Sequence, residues 1–269
     1  MTRIKAAICR GFNVPLTIED ADLRAPLSGE VEVALEAVAI CHSDISWLEG
    51  AWGGPLPAVF GHEASGIVAA VGEGVRGIRA GDRVVVTLIR ACGNCPSCAA
   101  GHPASCERPG NDLPPPLTLP DGGALHQSMW CGAFAERVVV DQSQVVVLPD
   151  PIAPEVAALL ACGVITGIGA VVNAAGLRPG QDAVVIGAGG VGLNAIQGAR
   201  IAGARRIVAV DMSEAKLAIA REFGATDGVL ATVDAPWDEV RALIGRGADA
   251  VFVTVGAVRA FDTAPHYLA

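Results

Sequence analysis

Four cysteines, Cys92, Cys95, Cys98 and Cys106, follow one another as C-x2-C-x2-C-x7-C in a stretch rich in proline and glycine. Thiolates so spaced can close around one tetrahedral ion. Zinc suits them, an iron–sulfur cluster is the competing occupant, and four cysteine ligands leave no position for a substrate, so the expected role is structural. A second set of metal-ligating types is dispersed: Cys41 in CHSD, His62 in GHE and Cys162 in ACGVITG. Taken singly, each cysteine reads as a small buried hydrophobe and the histidine as a hydrogen-bonded structural residue. Spacing alone does not join them.

A third pattern runs from Ala183 to Asp211, AVVIGAGGVGLNAIQGARIAGARRIVAVD. A short apolar strand, Ala183 to Ile186, leads into Gly187, Gly189 and Gly192 at G-x-G-x-x-G spacing, with Gly190 and Val191 inside the turn. The first glycine permits the tight turn, the second lets a pyrophosphate approach the backbone, and the third lets the helix lie close on its strand. Asp211 stands 19 residues beyond Gly192 at the end of a second strand, where its carboxylate can accept ribose hydroxyls. A 2′-phosphate would be repelled there, so the expected dinucleotide is NAD rather than NADP.

These residues need two kinds of scaffold. Up to about Val147 the chain shows short β-type runs, VEVALEAVAI, GIVAAVG, RVVVTLI, AERVVV and QVVVLP, punctuated by turns such as Leu27-Ser28-Gly29, Ala80-Gly81-Asp82 and Leu148-Pro149-Asp150-Pro151. Residues 1–153 are therefore expected to form a mostly antiparallel, barrel-like domain. Residues 154–269 alternate strands and helices, the signature of a parallel, doubly wound sheet. Strands are expected at 183–187, 206–211, about 227–230 and 249–255. Helices are expected near Pro154 to Leu160 and Gly167 to Ala175, with Ser213 as an N-cap and Pro236 in a first turn. Four strands are visible where the full dinucleotide fold has six, so this sheet is expected to be incomplete. The proline-rich stretch Gly110 to Gly123 reads as a loop.

A net charge of −9 gives no basic field for nucleic acid or an anionic membrane. Although 52% of the residues are hydrophobic, no uninterrupted apolar run reaches the ~18 to 20 residues of a membrane span. The amino terminus lacks a long apolar export segment. A soluble cytoplasmic protein is the expectation, and in that compartment the three of the eight cysteines at C-x2-C-x2-C spacing suit metal better than disulfides. Cys9 and Cys131 suit core packing.

CHSD, GHEASGIVAAVGEGV, GDRVVV, CGNCPSC, ACGVITG, GAGGVG and VDMSEAK, in this order, closely resemble the zinc-dependent medium-chain alcohol dehydrogenases, and the resemblance runs from Ile4 to the end of the chain. It implies a GroES-like catalytic domain followed by a Rossmann domain, two Zn2+ per chain, and reversible hydride transfer between an alcohol and NAD giving an aldehyde or ketone. By similarity Cys41, His62 and Cys162 hold the catalytic zinc and Glu63 is the acid that can approach it. Asp44 orients the histidine ligand, and Ser43 relays the alcohol proton. His42 contacts the pyrophosphate, Thr166 the nicotinamide side, and Lys216 the adenosine ribose.

The family's usual relay histidine, five residues after the first zinc cysteine, is replaced by Ser46. Leu88 is an expected wall of the substrate pocket, while Trp47 and Trp52 read as walls or as packed side chains, and His102 as a surface residue of the cysteine lobe. The resemblance also implies a small alcohol or aldehyde as substrate and a homo-oligomer. Family members continue through two further strands, whereas this chain ends in APHYLA, so it is expected to be a fragment or a shortened relative. The alternatives are a polyol- or threonine-type dehydrogenase of the same superfamily, or a non-catalytic nucleotide- and zinc-binding relative.

Overall fold

In a computed structural model the described residues are 1–108, 110, 113–149 and 152–269. They form two compact units, Met1–Cys162 and Gly163–Ala269.

The first unit holds ten strands: β1 (Thr2–Cys9), β2 (Thr17–Leu23), β3 (Glu30–Val38), β4 (Ala58–Val59), β5 (Glu63–Val71), β6 (Arg83–Thr87), β7 (Leu117–Thr118), β8 (His126–Gln127), β9 (Arg137–Asp141) and β10 (Val145–Val147). They build two five-stranded sheets, ordered β7-β2-β1-β4-β8 and β10-β6-β5-β3-β9. Pairing is antiparallel except between β4 and β8. Valine-rich alternation explains the second sheet. Val31, Val33, Ala64, Val68, Val84, Val86, Val138 and Val140 turn one way into a common core. Full burial of a valine is worth roughly 1.5–3 kcal/mol, and the intervening Val85 and Val139 are buried in other clusters, so β6 and β9 are covered on both faces. The other sheet contributes Ile4, Ile8, Leu23 and Leu117 to a separate cluster.

The second unit carries β11 (Asp182–Ile186), β12 (Arg206–Asp211), β13 (Asp227–Leu230) and β14 (Ala250–Val253), all parallel, in the order β13-β12-β11-β14. Every residue of β11 is buried, because helices cover both sheet faces. Ala183 and Val185 meet Ala195, Ile196 and Ala199 of the helix Gly190–Ile201 on one side. Val184 and Ile186 join Val240, Ile244 and Tyr267 on the other. The doubly wound expectation holds, with four strands among the described residues.

Several expectations change. The two helices expected around ACGVITG are one continuous helical run from Pro154 to Ala174, in which α-helical turns alternate with π-helical turns at Leu160–Val164 and Ala170–Ala174. No proline or positive-φ residue interrupts it before Gly176, whose φ is 57°. This run is 21 residues long and contains an 18-residue window with a mean hydropathy of 2.1, so by length and composition one helix could cross a membrane, where counting apolar residues alone found none. It contributes Ala157 and Ala161 to one core and Val171 to another. The stretch Gly110 to Gly123 is not loop throughout: Leu117 lies in β7 and is fully buried. Asn111 and Asp112 of that stretch, and Asp150 and Pro151 of the expected turn, lie outside the described residues. Pro236 occupies a first helical turn, as expected. Ser213 occupies an N-cap position, but its hydroxyl caps nothing.

Candidate functional site

The dispersed residues converge. Cys41 precedes the short helix His42–Leu48, His62 directly precedes β5, Glu63 begins it, and Cys162 lies in the π-helical turn. Their ligand atoms all fall within 4.8 Å of one another. Two sulfurs, one imidazole and one carboxylate at that spacing match a tetrahedral zinc, for which Zn–S is about 2.3 Å and Zn–N about 2.0 Å.

Asp44 organises the group from beneath, and at 1% exposure it is no surface acid. Its Oδ2 accepts the Cys41 N–H at 3.0 Å. Its Oδ1 accepts the Gly61 N–H at 3.0 Å and lies 3.2 Å from His62 Nδ1. The ring is thereby turned so that Nε2 faces Glu63 Oε1, 4.0 Å away. Gly61 is required here. Its φ is 89°, and a Cβ would come within 2.6 Å of the Phe134 ring.

Electrostatics prepare Cys41 as a ligand. Hydrogen bonds from Cys162 and His62 pull the Cys41 thiol down to about 3. Burial opposes charge on His62, but hydrogen bonds with Asp44 and Cys41 outweigh it and lift the imidazole to about 9. The Cys41 sulfur is held as a thiolate, the form that ligates metal. Ser43 Oγ lies 3.5 Å from Cys41 Sγ, within the same pocket of polar groups.

Cys92, Cys95, Cys98 and Cys106 also bring their sulfurs within 4.8 Å of one another. Backbone amides support them: Cys98 N–H points to Cys95 Sγ at 3.5 Å and Cys92 N–H to Cys106 Sγ at 3.3 Å. Hydrogen bonds from the backbone of Glu107 and Cys98 bring the Cys95 thiol down to about 6. The set offers no open position, which fits a structural ion. His102 is exposed and outside the cluster. Cys9 and Cys131 are fully buried, and burial pushes Cys131 up to about 12, so neither is a ready thiolate.

In the second unit the glycine turn behaves as its spacing predicts. Gly187 has φ 98°, and a Cβ on Gly192 would stand 1.8 Å from the Gly187 carbonyl oxygen, so helix and strand touch there. A Cβ on Gly189 or Gly190 would meet nothing. That open cradle, at the start of a 12-residue helix whose N-cap has no side-chain bond, fits a pyrophosphate. Gly167 packs against the Val191 carbonyl and the Ala195 amide, which sets its neighbour Thr166 beside the same helix.

Asp211 accepts Ala188 N–H at 2.8 Å and Ser213 N–H at 3.0 Å, one on each oxygen, so it ties two βα turns together as well as facing a cavity. That cavity, about 530 Å³, is lined by Gly187, Asp211, Lys216, Trp237 and Arg259 among others. Trp237 and Arg259 belong to no motif, and nothing in the sequence marks them. His42 and Thr166 are exposed. Trp47 stacks on Phe60 at 6.1 Å and packs with Cys9, while Trp52 lies edge-on to it at 4.7 Å. Leu88 is half-buried, directly after β6.

Residues 27–150 match the alcohol dehydrogenase GroES-like domain family, and residues 190–269 the zinc-binding dehydrogenase family. The S-(hydroxymethyl)glutathione dehydrogenase of Photobacterium damsela subsp. piscicida is 36% identical over 97% of this chain and 73% of its own length. The NDMA-dependent alcohol dehydrogenase of Amycolatopsis methanolica is 36% identical over 95% of this chain and 71% of its own. Among solved structures, an alcohol dehydrogenase zinc-binding domain protein from Burkholderia ambifaria superposes with a TM-score of 0.94 at 36% identity, covering all of this chain and 75% of that one. The chain belongs to the zinc-dependent medium-chain alcohol dehydrogenases and is an oxidoreductase of that type, shorter than these relatives.

Proposed function

We propose that this protein interconverts a small alcohol and its aldehyde or ketone with NAD, holding one catalytic and one structural zinc. The observation that carries this reading is the convergence of Cys41, His62 and Cys162, from three distant segments, with ligand atoms within 4.8 Å. When bound, zinc supplies Lewis-acid polarisation of the substrate oxygen and NAD accepts the hydride. The chain's own residues do the rest. Asp44 keeps the His62 ring oriented through Nδ1, leaving Nε2 for the ion. Glu63, buried beside the three ligands, adds a carboxylate that can hold the ion while the substrate position is open.

Ser43, whose Oγ lies 3.5 Å from Cys41 Sγ, is assigned the alcohol proton, with Ser46 at the position where the family resemblance implies a histidine. The glycine turn and helix start receive the pyrophosphate, and Asp211 and Lys216 receive the adenosine ribose. His42 and Thr166 are assigned to the pyrophosphate and the nicotinamide side. Localisation in the cytoplasm and assembly as a homo-oligomer belong to the same proposal.

The test is bound zinc per chain together with NAD-dependent oxidation of a panel of short alcohols. Two zincs with turnover are expected. Two zincs without turnover on any member, with NAD or NADP, would overturn the catalytic reading. Replacing Asp211 by alanine should relax the preference for NAD toward NADP. An unchanged cofactor ratio would remove Asp211 from the ribose site.

A further inference from the structure

Thr87, the last residue of β6, belongs to no motif, yet it touches both segments that carry the metal-ligating cluster. On one side it is the direct cross-strand partner of Glu63 in the β5–β6 ladder, next in sequence to His62. On the other its hydroxyl donates to the Ala161 carbonyl at 2.7 Å, one residue before Cys162. The same hydroxyl oxygen accepts the Ile89 N–H at 3.4 Å, so its orientation is set from both sides.

The contact falls where the helix is weakest at fixing its own geometry. Cys162 lies in the π-helical turn Leu160–Val164, whose wider ring loosens the regular carbonyl pairing of an α-helix. The Ala161 carbonyl and the Cys162 N–H share one planar peptide, so anchoring the oxygen fixes the plane from which the Cys162 side chain departs.

Thr87 is itself held. Gln144, fully buried, donates Nε2 to the Thr87 carbonyl at 3.0 Å and to the Trp130 carbonyl at 3.3 Å. Its Oε1 has no hydrogen-bond partner among the described residues, a cost that a merely space-filling side chain would not incur. The Cys131 thiol faces the same Thr87 carbonyl at 3.9 Å.

We propose that Thr87, locked by Gln144, is a positioning residue for the metal centre, setting the Cys162 sulfur through the Ala161 carbonyl and registering it against His62 and Glu63. This rests on the reading that Cys41, His62 and Cys162 hold a metal.

The experiment is zinc release from the loaded full chain into excess chromogenic chelator, with the two kinetic phases assigned by Cys162→Ser and Cys98→Ser. Thr87→Val, which keeps the shape and removes the hydroxyl, should speed the phase lost in Cys162→Ser by about tenfold and leave the other phase unchanged. Thr87→Ser should restore slow release. Release at the parent rate in Thr87→Val would overturn the inference while leaving the metal reading intact. So would acceleration of both phases, loss of the cysteine-lobe zinc, or failure of serine to rescue, because each makes Thr87 a general packing residue. A parent chain with no phase that depends on Cys162 would overturn the metal reading and this inference with it.

Discussion

Cys162 and Cys98 are both cysteines with metal-ligating neighbours, but their environments assign them different work. Cys162 belongs to a mixed set of sulfur, imidazole and carboxylate. Cys98 belongs to a set of four sulfurs in a lobe whose only described helices are short, Pro96–Ala99 and Pro103–Ser105. A lobe with so little apolar core depends on its ion for folding energy. Cys162→Ser is therefore expected to abolish turnover with little change in Tm, and Cys98→Ser to lower Tm and release one zinc. Activity, zinc content and thermal unfolding of both variants check this, and indistinguishable effects would sink the division of labour.

Single contacts between elements also carry defined consequences. The helix Gly190–Ile201 and β11 meet at Gly192, where any Cβ would overlap the Gly187 carbonyl oxygen at 1.8 Å. Gly192→Ala should push the helix off the strand, weaken NAD binding at least tenfold and lower Tm; titration calorimetry and thermal melts read both. At the start of β11, Asp182 is fully buried and accepts hydrogen bonds from Arg205 at 2.7 and 2.9 Å and from Arg246 at 3.1 Å. Burial works against its charge, but the two guanidiniums outweigh it and hold the carboxyl below its ordinary value.

A depressed folded value means that this stabilisation is complete above the unfolded value, near 3.9, and is lost as pH falls through the folded one. Because both arginines are about half exposed and can return to water, Asp182→Asn should cost only about 1–3 kcal/mol at pH 7. The deficit should shrink below about pH 4. Melts of both proteins from pH 7 to pH 2 test the sign, and a deficit that grows on acidification would refute it.

Across the whole molecule, the ligand-bearing residues are distributed unequally. Both candidate metal clusters lie in Met1–Cys162, and the glycine turn and Asp211 lie in Gly163–Ala269. Anything that binds the native state alone protects the segments it touches. Zinc chelation should accordingly raise amide exchange in 41–63 and 92–106, and NAD should slow it in 187–192 and 208–216. Hydrogen exchange with and without each ligand measures this. An NAD footprint that leaves 187–192 untouched would place the cofactor elsewhere.

Much of this architecture was legible in the chain. The short valine-rich runs that became β3, β6 and β9, the glycine spacing after β11 and the terminal Asp211 are local patterns with local physical causes, as is the spacing of Cys92, Cys95, Cys98 and Cys106. The continuous helix through Cys162 was not legible, because glycines and a threonine in ACGVITG read as a break while the observed π turns absorb them. Nor could spacing join Cys41, His62 and Cys162, which are brought together only when β5, the Asp44 helix and the helical run pack, although the family resemblance named them. Thr87 and Gln144 left no trace at all. Their roles consist of hydrogen bonds to backbone atoms 74 and 57 residues away, and a backbone carbonyl carries no sequence signal.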